Sequence, residues 1–96
     1  MNKYESMYIL KPDLEEEAKD ALVAKFQEIV KNGGGEIEKV DEWGKRKLAY
    51  PIHYINEGYY VLMYFSAPAD LPAELERNYR ITDDVMRFIV INLDNE

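Results

Sequence analysis

The chain is predicted to adopt an α+β fold in which one antiparallel sheet carries two helices on the same face. Stretches rich in aromatic and branched residues alternate with two stretches of helical periodicity, in the order strand-helix-strand, strand-helix-strand. The chain has 96 residues, of which 47% are apolar and 32% are charged. This is the composition of an ordinary globular protein, and the length predicts one domain spanning residues 1–96.

The first half of the chain is predicted to form a strand, a helix and a second strand. The first strand runs from Lys3 to Leu10. Asp13 is expected to cap the helix that follows, with Glu16 completing a capping box. Apolar residues recur at helical spacing in this helix, at Leu14, Ala18, Ala21, Leu22, Phe26, Ile29 and Val30. The glycines at 33–35 end the helix, and the second strand runs from Glu36 towards Trp43.

The second half is predicted to repeat this pattern. Asn56 to Gly58 supplies turn residues, and Tyr59 to Phe65 forms the third strand. Asp70 is the expected N-cap of a shorter helix, whose apolar face comprises Leu71, Leu75 and Tyr79. The last strand runs from Val85 to Leu93. Two split units of this kind form a ferredoxin-like βαββαβ domain, in which we expect the first and last strands to lie in the centre of the sheet.

Both faces of the predicted sheet are apolar, although a sheet with helices on one face and water on the other should alternate. Within the first strand Tyr4, Tyr8 and Leu10 share a face, and Met7 and Ile9 oppose them. Val61, Met63 and Phe65 share a face of the third strand, and Phe88 and Val90 share a face of the fourth, where Val90 is expected to point into the core. A contiguous apolar surface on the other face favours a partner interface over scattered surface hydrophobes. Its predicted partner-binding residues are Leu62, Ile89, Ile91, Tyr60 and Tyr64. We expect Leu62, Ile89 and Ile91 to be exposed in the isolated protein.

A basic segment lies in the middle of this acidic chain, from Trp43 to Asn56. It contains Lys45, Arg46 and Lys47 but no acidic residue, and it leaves about −10 to the rest of a chain whose net charge is −7. Cations flanked by aromatic rings can pair with phosphates and stack on bases. The alternative is a solvated hairpin whose lysines discourage edge pairing. The net negative charge argues against indiscriminate nucleic-acid binding and favours a localised patch assisted by a partner.

Candidate catalytic and metal sites are few. Cysteine is absent, and the single histidine, His53, cannot build a multi-histidine zinc site. No serine or threonine nucleophile accompanies His53, and the adjacent carboxylates Asp41-Glu42 and Asp83-Asp84 have nothing to bury them. We therefore predict no catalytic residue, metal or cofactor. The longest apolar run, Tyr59 to Phe65, is too short to span a bilayer, and no signal sequence is evident, so we expect a cytoplasmic protein.

Three motifs carry a resemblance to a known family: KYE at residues 3–5, WGKRKLAYPI at residues 43–52 and RITDDVMR at residues 80–87. Over its whole length the chain resembles the family of bacterial small-subunit ribosomal protein S-six (S6). The resemblance implies a ferredoxin-like structural protein of the small ribosomal subunit, not an enzyme. It also implies binding to the central domain of 16S ribosomal RNA, in the platform, together with a basic partner, small-subunit protein S-eighteen.

Carried over residue by residue, the resemblance implies RNA contacts by Lys3, Tyr4, Lys45, Arg46, Lys47, Tyr50, Arg80 and Arg87. Two positions depart from the family pattern. Asn2 stands where some relatives carry a cation, and Lys47 stands where arginine is common, although lysine lacks the bidentate fork of arginine. The alternative function is a homodimeric ferredoxin-like regulatory or enzymatic domain that buries the apolar sheet face against a second copy. The two differ in that the ribosomal protein is expected to be a monomer when isolated.

Overall fold

A computed structural model describes residues 1–52 and 54–94 and contains the six predicted elements in the predicted order. They are β1 (Asn2–Leu10), α1 (Glu16–Asn32), β2 (Glu36–Ile52), β3 (Ile55–Ala67), α2 (Leu71–Ile81) and β4 (Val85–Asn92). All strand pairs are antiparallel and form one sheet. The predicted α+β, ferredoxin-like class is therefore confirmed. In these described ranges no helix has the length and apolar character needed to cross a membrane.

The order of the strands across the sheet is β2-β3-β1-β4. The predicted central position is right for β1 and wrong for β4, which lies at an edge. β3 pairs with β1 from Asn2↔Ala67 to Leu10↔Tyr59 and pairs with β2 on its other side. Because β3 occupies one side of β1 over its full length, β4 pairs with the remaining side.

β2 and β3 form a longer hairpin than the sequence predicted. β2 continues through the basic segment to Ile52, and β3 begins at Ile55. The predicted turn at Asn56 to Gly58 is wrong, since these residues belong to β3 and two of them pair with Lys47 and Arg46. Tyr54 has a left-handed backbone (φ 67°) between the strands, where the chain reverses. His53 lies outside the described residues.

The helix ends agree only partly with the predicted signals. α1 begins at Glu16 with Glu15 as its N-cap, so the predicted cap at Asp13 and its capping box are wrong. Asp70 does occupy the N-cap position of α2, but its side chain makes no capping hydrogen bond. Residues 33–35 end α1 as predicted, and their amides donate to carbonyls of its last turns.

The core lies between the two helices and one face of the sheet. The strands contribute Tyr4, Tyr8, Leu10, Val61, Met63 and Phe65, and the helices contribute Val23, Phe26, Val30, Leu71, Leu75 and Tyr79. Phe88 and Val90 are half-buried and pack against this cluster, so the predicted core side of the last strand is confirmed. The inward face of α1 differs from the prediction, since Ala18 and Ala21 are exposed and Val23 is buried in their place.

Two tyrosines of this core, Tyr8 and Tyr79, differ in whether their hydroxyl has a hydrogen-bond partner. The Tyr79 hydroxyl oxygen lies 2.7 Å from Ser6 Oγ in a fully buried hydrogen bond. The Tyr8 hydroxyl is also buried but has no hydrogen-bond partner among the described residues. Burial disfavours the phenolate and raises the pKa of Tyr8 above its ordinary value. A buried hydroxyl without a hydrogen-bond partner from the protein is expected to reduce stability.

We expect Tyr8→Phe to stabilise the protein by about 1 kcal/mol, because it removes an unsatisfied hydroxyl. The ring that packs against Phe26 and Tyr79 is retained. The matched control, Tyr79→Phe, should destabilise the protein by about 1 kcal/mol, since it leaves the Ser6 hydroxyl unpaired in the core. Urea unfolding of both variants provides the measurement. Destabilisation by Tyr8→Phe would contradict this account of its hydroxyl.

Candidate nucleic-acid and partner interface

The face of the sheet opposite the helices, which we call the open face, is formed by three rows of side chains. Residues directly opposite each other in antiparallel strands point to the same side, so the register defines the rows. From β2 to β4 they are Lys39-Tyr64-Glu5-Ile91, Asp41-Leu62-Met7-Ile89 and Gly44-Tyr60-Ile9-Arg87. All five predicted partner-binding residues lie in these rows, so the structure brings them together on one surface.

The open face is unevenly exposed. Ile89 and Ile91 expose 47% and 44% of their surface, and Tyr60 and Tyr64 are half-buried. Leu62 exposes only 5%, so the prediction that it is accessible in the isolated protein is wrong. It lies on a central strand, with paired neighbours on both sides and a tyrosine two positions before and two positions after it on the same face. Leu62 therefore forms the floor of the open face.

The end of the open face near the hairpin is closed by a close approach at Gly58. A Cβ atom at this position would lie 2.2 Å from Ile9 Cγ2 and 3.5 Å from Leu48 Cδ2. Ile9 and Leu48 are both buried. Glycine is therefore needed at position 58 for packing, which explains why a turn residue is found inside a strand.

The three consecutive cations of the basic segment do not form one patch. Residues 45–47 lie in β2 and pair in regular register with β3, and successive side chains of a strand point to opposite sides. Arg46 belongs to the side of the open face. Lys45 pairs with Tyr59, which packs against the core, so Lys45 and Lys47 lie on the side of the helices. All three cations are exposed.

Arg46 lies over an aromatic pair at the edge of the open face. Its guanidinium carbon is 5.5 Å from the centroid of the Trp43 ring. The Trp43 ring stacks on Tyr60 with centroids 6.4 Å apart and an interplanar angle of 16°. Trp43 Nε1 also donates a hydrogen bond of 3.1 Å to Asp41 Oδ2. The basic segment and the open face therefore meet at Trp43, a residue that sequence reasoning had placed only as a flank of the motif.

On the other side of the hairpin, Tyr59 anchors β3 to α1. Its hydroxyl donates a hydrogen bond of 2.7 Å to Glu42 Oε1, and Lys19 Nζ lies 4.2 Å from the centroid of its ring. Burial and the hydrogen bond to Glu42 raise the pKa of Tyr59 to about 12, so the hydroxyl remains a donor at neutral pH. Tyr59, which pairs with Lys45 of the basic segment, therefore also contacts α1.

The other predicted RNA-contacting residues are spread over the molecule. Arg87 lies on β4, at the opposite end of the third row from Gly44 on β2. Three strand spacings separate the two positions, a distance of about 14 Å. Lys3 is exposed near the other end of β1, and Tyr50 is exposed on the hairpin. Arg80 lies in the last turn of α2, where its Nη2 is 3.4 Å from Glu76 Oε1. These residues cannot all meet one short stretch of RNA.

Tyr4 is the predicted RNA contact that the structure contradicts. Its side chain exposes only 4% of its surface and stacks on Phe65, with ring centroids 5.5 Å apart. Its hydroxyl accepts a hydrogen bond of 3.2 Å from Asn2 Nδ2. Tyr4 shares its face of β1 with Tyr8 and Leu10, which point towards the helices, so neither face of its ring is available to a base.

Among the described residues, no group of three or more histidine, aspartate and glutamate side chains is arranged to hold a metal.

Comparison with known proteins gives consistent matches over the full chain. The sequence model of a family described as Ribosomal protein S6 matches residues 3–92. Small ribosomal subunit protein bS6 of Clostridium novyi is 56% identical over 92 residues, which are 96% of this chain and 97% of that protein. The protein of the same name from Caldanaerobacter subterraneus is 54% identical over 95 residues, covering 99% and 100% of the two chains.

Solved structures give the same match. The crystal structure of 30S ribosomal protein S6 from Thermotoga maritima superimposes with a TM-score of 0.90 at 37% identity, and the match covers 95% of this chain and 86% of that chain. The P2 domain of a chemotaxis kinase from the same organism, solved in complex with a response regulator, gives a TM-score of 0.64 at 16% identity over 96% and 98% of the chains. That second likeness concerns the fold alone.

Proposed function

Since the chain belongs to the ribosomal protein S6 family, we propose that it binds the central domain of 16S ribosomal RNA together with small-subunit protein S-eighteen. Membership of the family makes it a structural protein of the small ribosomal subunit, located in the cytoplasmic ribosome, and not an enzyme. The proposal adds the RNA domain, the protein partner and the residues that contact each of them.

The observation that carries this proposal is the junction of two surfaces at Trp43. Trp43 contacts Tyr60 of the apolar open face and Arg46 of the basic segment. A protein with a net charge of −7 repels a polyanion on average. Binding therefore requires local cations on this chain and additional positive charge from a partner. The junction lets one partner cover the sheet while RNA meets the cations beside it.

We assign the protein partner to the open face. Ile89 and Ile91 form an exposed apolar strip on β4, and Tyr60 and Tyr64 lie half-buried across the sheet on the same face. Leu62 forms the floor between them. An exposed apolar surface of this extent favours a protein interface. Three charged members of the rows, Lys39, Glu5 and Asp41, offer polar contacts that orient the partner.

We assign the RNA backbone to Arg46, Lys45, Lys47 and Tyr50 on the hairpin, with Arg87 and Lys3 as further cations on the sheet. All six are exposed. Arg80 is also a candidate, because its contact with Glu76 is an exposed pair of the kind that contributes little and that a phosphate can replace. Phosphate contacts of this type supply affinity without reading sequence. Tyr4 is withdrawn from this set.

The proposal is tested by filter binding of the protein to a 16S central-domain fragment, with and without protein S-eighteen. We expect weak binding by the protein alone and tight binding with the partner, because the partner supplies charge that this acidic chain lacks. Equal affinity in both titrations would rule out the proposal that the partner supplies part of the positive charge needed for RNA binding.

Sedimentation of the isolated protein at micromolar concentration supplies the control for the alternative function. A monomer is expected. A stable dimer that loses its association when Ile89 is changed to aspartate would favour a homodimeric domain, because both copies would then bury the open face.

A further inference from the structure

We infer that Trp43 is a positioning residue that holds the Arg46 guanidinium for its contact with RNA. This inference rests on the proposed function, and it assigns a role to a side chain outside the set of predicted RNA contacts. Two contacts support it: the Arg46 guanidinium carbon lies 5.5 Å from the centroid of the Trp43 ring, and the Trp43 ring stacks on Tyr60.

The indole is itself fixed from two directions. Stacking on Tyr60 ties one face of the ring to a central strand, at a separation of 6.4 Å between centroids. The hydrogen bond from Nε1 to Asp41 Oδ2 fixes the rotation of the ring within its plane. Gly44 follows at a register shift in the β2–β3 pairing and has a φ of 83°. The local backbone there takes a conformation that favours glycine.

Arg46 is held by a ring and not by a carboxylate, and this difference matters for RNA. The two arginines of α2 lie against glutamates, Arg77 with Glu74 and Arg80 with Glu76. Within residues 1–52 and 54–94, Arg46 makes no ion pair. A cation–π contact orders the guanidinium and leaves its charge and most of its N–H donors available. An ordered arginine loses less conformational freedom when it binds a phosphate with two parallel hydrogen bonds.

The alternative is that Trp43 only covers Tyr60 and stabilises the edge of the sheet. Trp43 exposes 44% of its surface, so its removal would then reduce stability slightly and leave the affinity of Arg46 for phosphate unchanged. The two roles differ in whether the effects of changing Trp43 and Arg46 on RNA affinity are coupled. A double-mutant cycle measures this coupling.

The cycle uses wild type, Trp43→Ala, Arg46→Ala and the double variant. Each binds a 16S central-domain fragment in filter assays with protein S-eighteen present, at several salt concentrations. We expect Trp43→Ala to weaken binding about two- to five-fold, the range of an exposed cation–π contact. The double variant should bind like Arg46→Ala alone, and Trp43→Phe should recover most of the loss. Intrinsic fluorescence adds a readout on the free protein, since Trp43 is the sole tryptophan and Arg46→Ala should shift its emission.

Three results would overturn the inference. One is additive losses in the cycle, which would mean that Trp43 acts independently of Arg46. Another is unchanged affinity in Trp43→Ala, and the last is unchanged affinity in Arg46→Ala. Binding of RNA together with the partner survives all three, provided that the wild-type protein binds the fragment, but unchanged affinity in Arg46→Ala would also remove Arg46 from the proposed RNA contacts. Absence of wild-type binding would instead refute the proposed function, so the two failures are distinguishable. Thermal melts of each variant confirm that it is folded.

Discussion

Ile89→Asp is expected to leave the isolated protein folded and to abolish capture of protein S-eighteen. Ile89 lies at the edge strand of the open face and exposes 47% of its surface, so a carboxylate there can remain hydrated. In the complex, the same carboxylate would be desolvated against apolar surface without a partner, which costs several kcal/mol. Thermal melts and pull-downs with tagged S-eighteen measure the two effects separately.

The next residue on the same strand provides the matched control. Val90 is half-buried and packs against the core on the helix side of β4. We expect Val90→Asp to lower the free energy of unfolding by several kcal/mol, because its carboxylate would lie against the core. Unfolding by Ile89→Asp together with tolerance of Val90→Asp would show that the two faces have been exchanged. Normal capture of S-eighteen by a folded Ile89→Asp protein would exclude the open face as the interface.

Replacing Arg46 and Lys47 together with alanine should weaken assembly with RNA while leaving the fold intact. Both side chains are exposed, and exposed cations contribute little to stability. Each phosphate contact that is lost should reduce the salt dependence of binding by about one unit in the log-log slope. Because the two side chains lie on opposite sides of β2, the single variants report which side of the hairpin meets the RNA.

Lys25→Ala is the matched control for this experiment. Lys25 is an exposed cation on α1, outside the basic segment, so its removal should leave the salt slope unchanged. If the Arg46 and Lys47 double variant also keeps the wild-type slope, these side chains do not contact the RNA. The basic segment would then be a solvated hairpin.

The two faces of the sheet could be predicted from the sequence because the period of a strand is two residues. Alternation assigned Val90 to the core side and Ile89 and Ile91 to the other side, and the structure agrees. The edge position of β4 was predicted wrongly, although the predicted topology determines it. Each split βαβ unit leaves one strand position between its two parallel strands, so β3 lies between β2 and β1, and β1 lies between β3 and β4.

The errors in the candidate site have a common physical origin in contacts between strands. Leu62 was predicted to be exposed because it lies on the face opposite the helices. It is buried because residues on the two neighbouring strands cover it. Tyr4 belongs to a motif with Lys3, yet adjacent residues of a strand point to opposite faces. Trp43 was recognised only as part of the motif, because its stacking on Tyr60 depends on the register of the hairpin.

Sedimentation of the tagged protein from a native bacterial lysate tests the central claim most directly. The protein should travel with the small ribosomal subunit in a sucrose gradient and should recover S-eighteen and 16S ribosomal RNA after purification of that fraction. A protein that remains at the top of the gradient, free of both partners while other small-subunit proteins sediment normally, would contradict the proposed role.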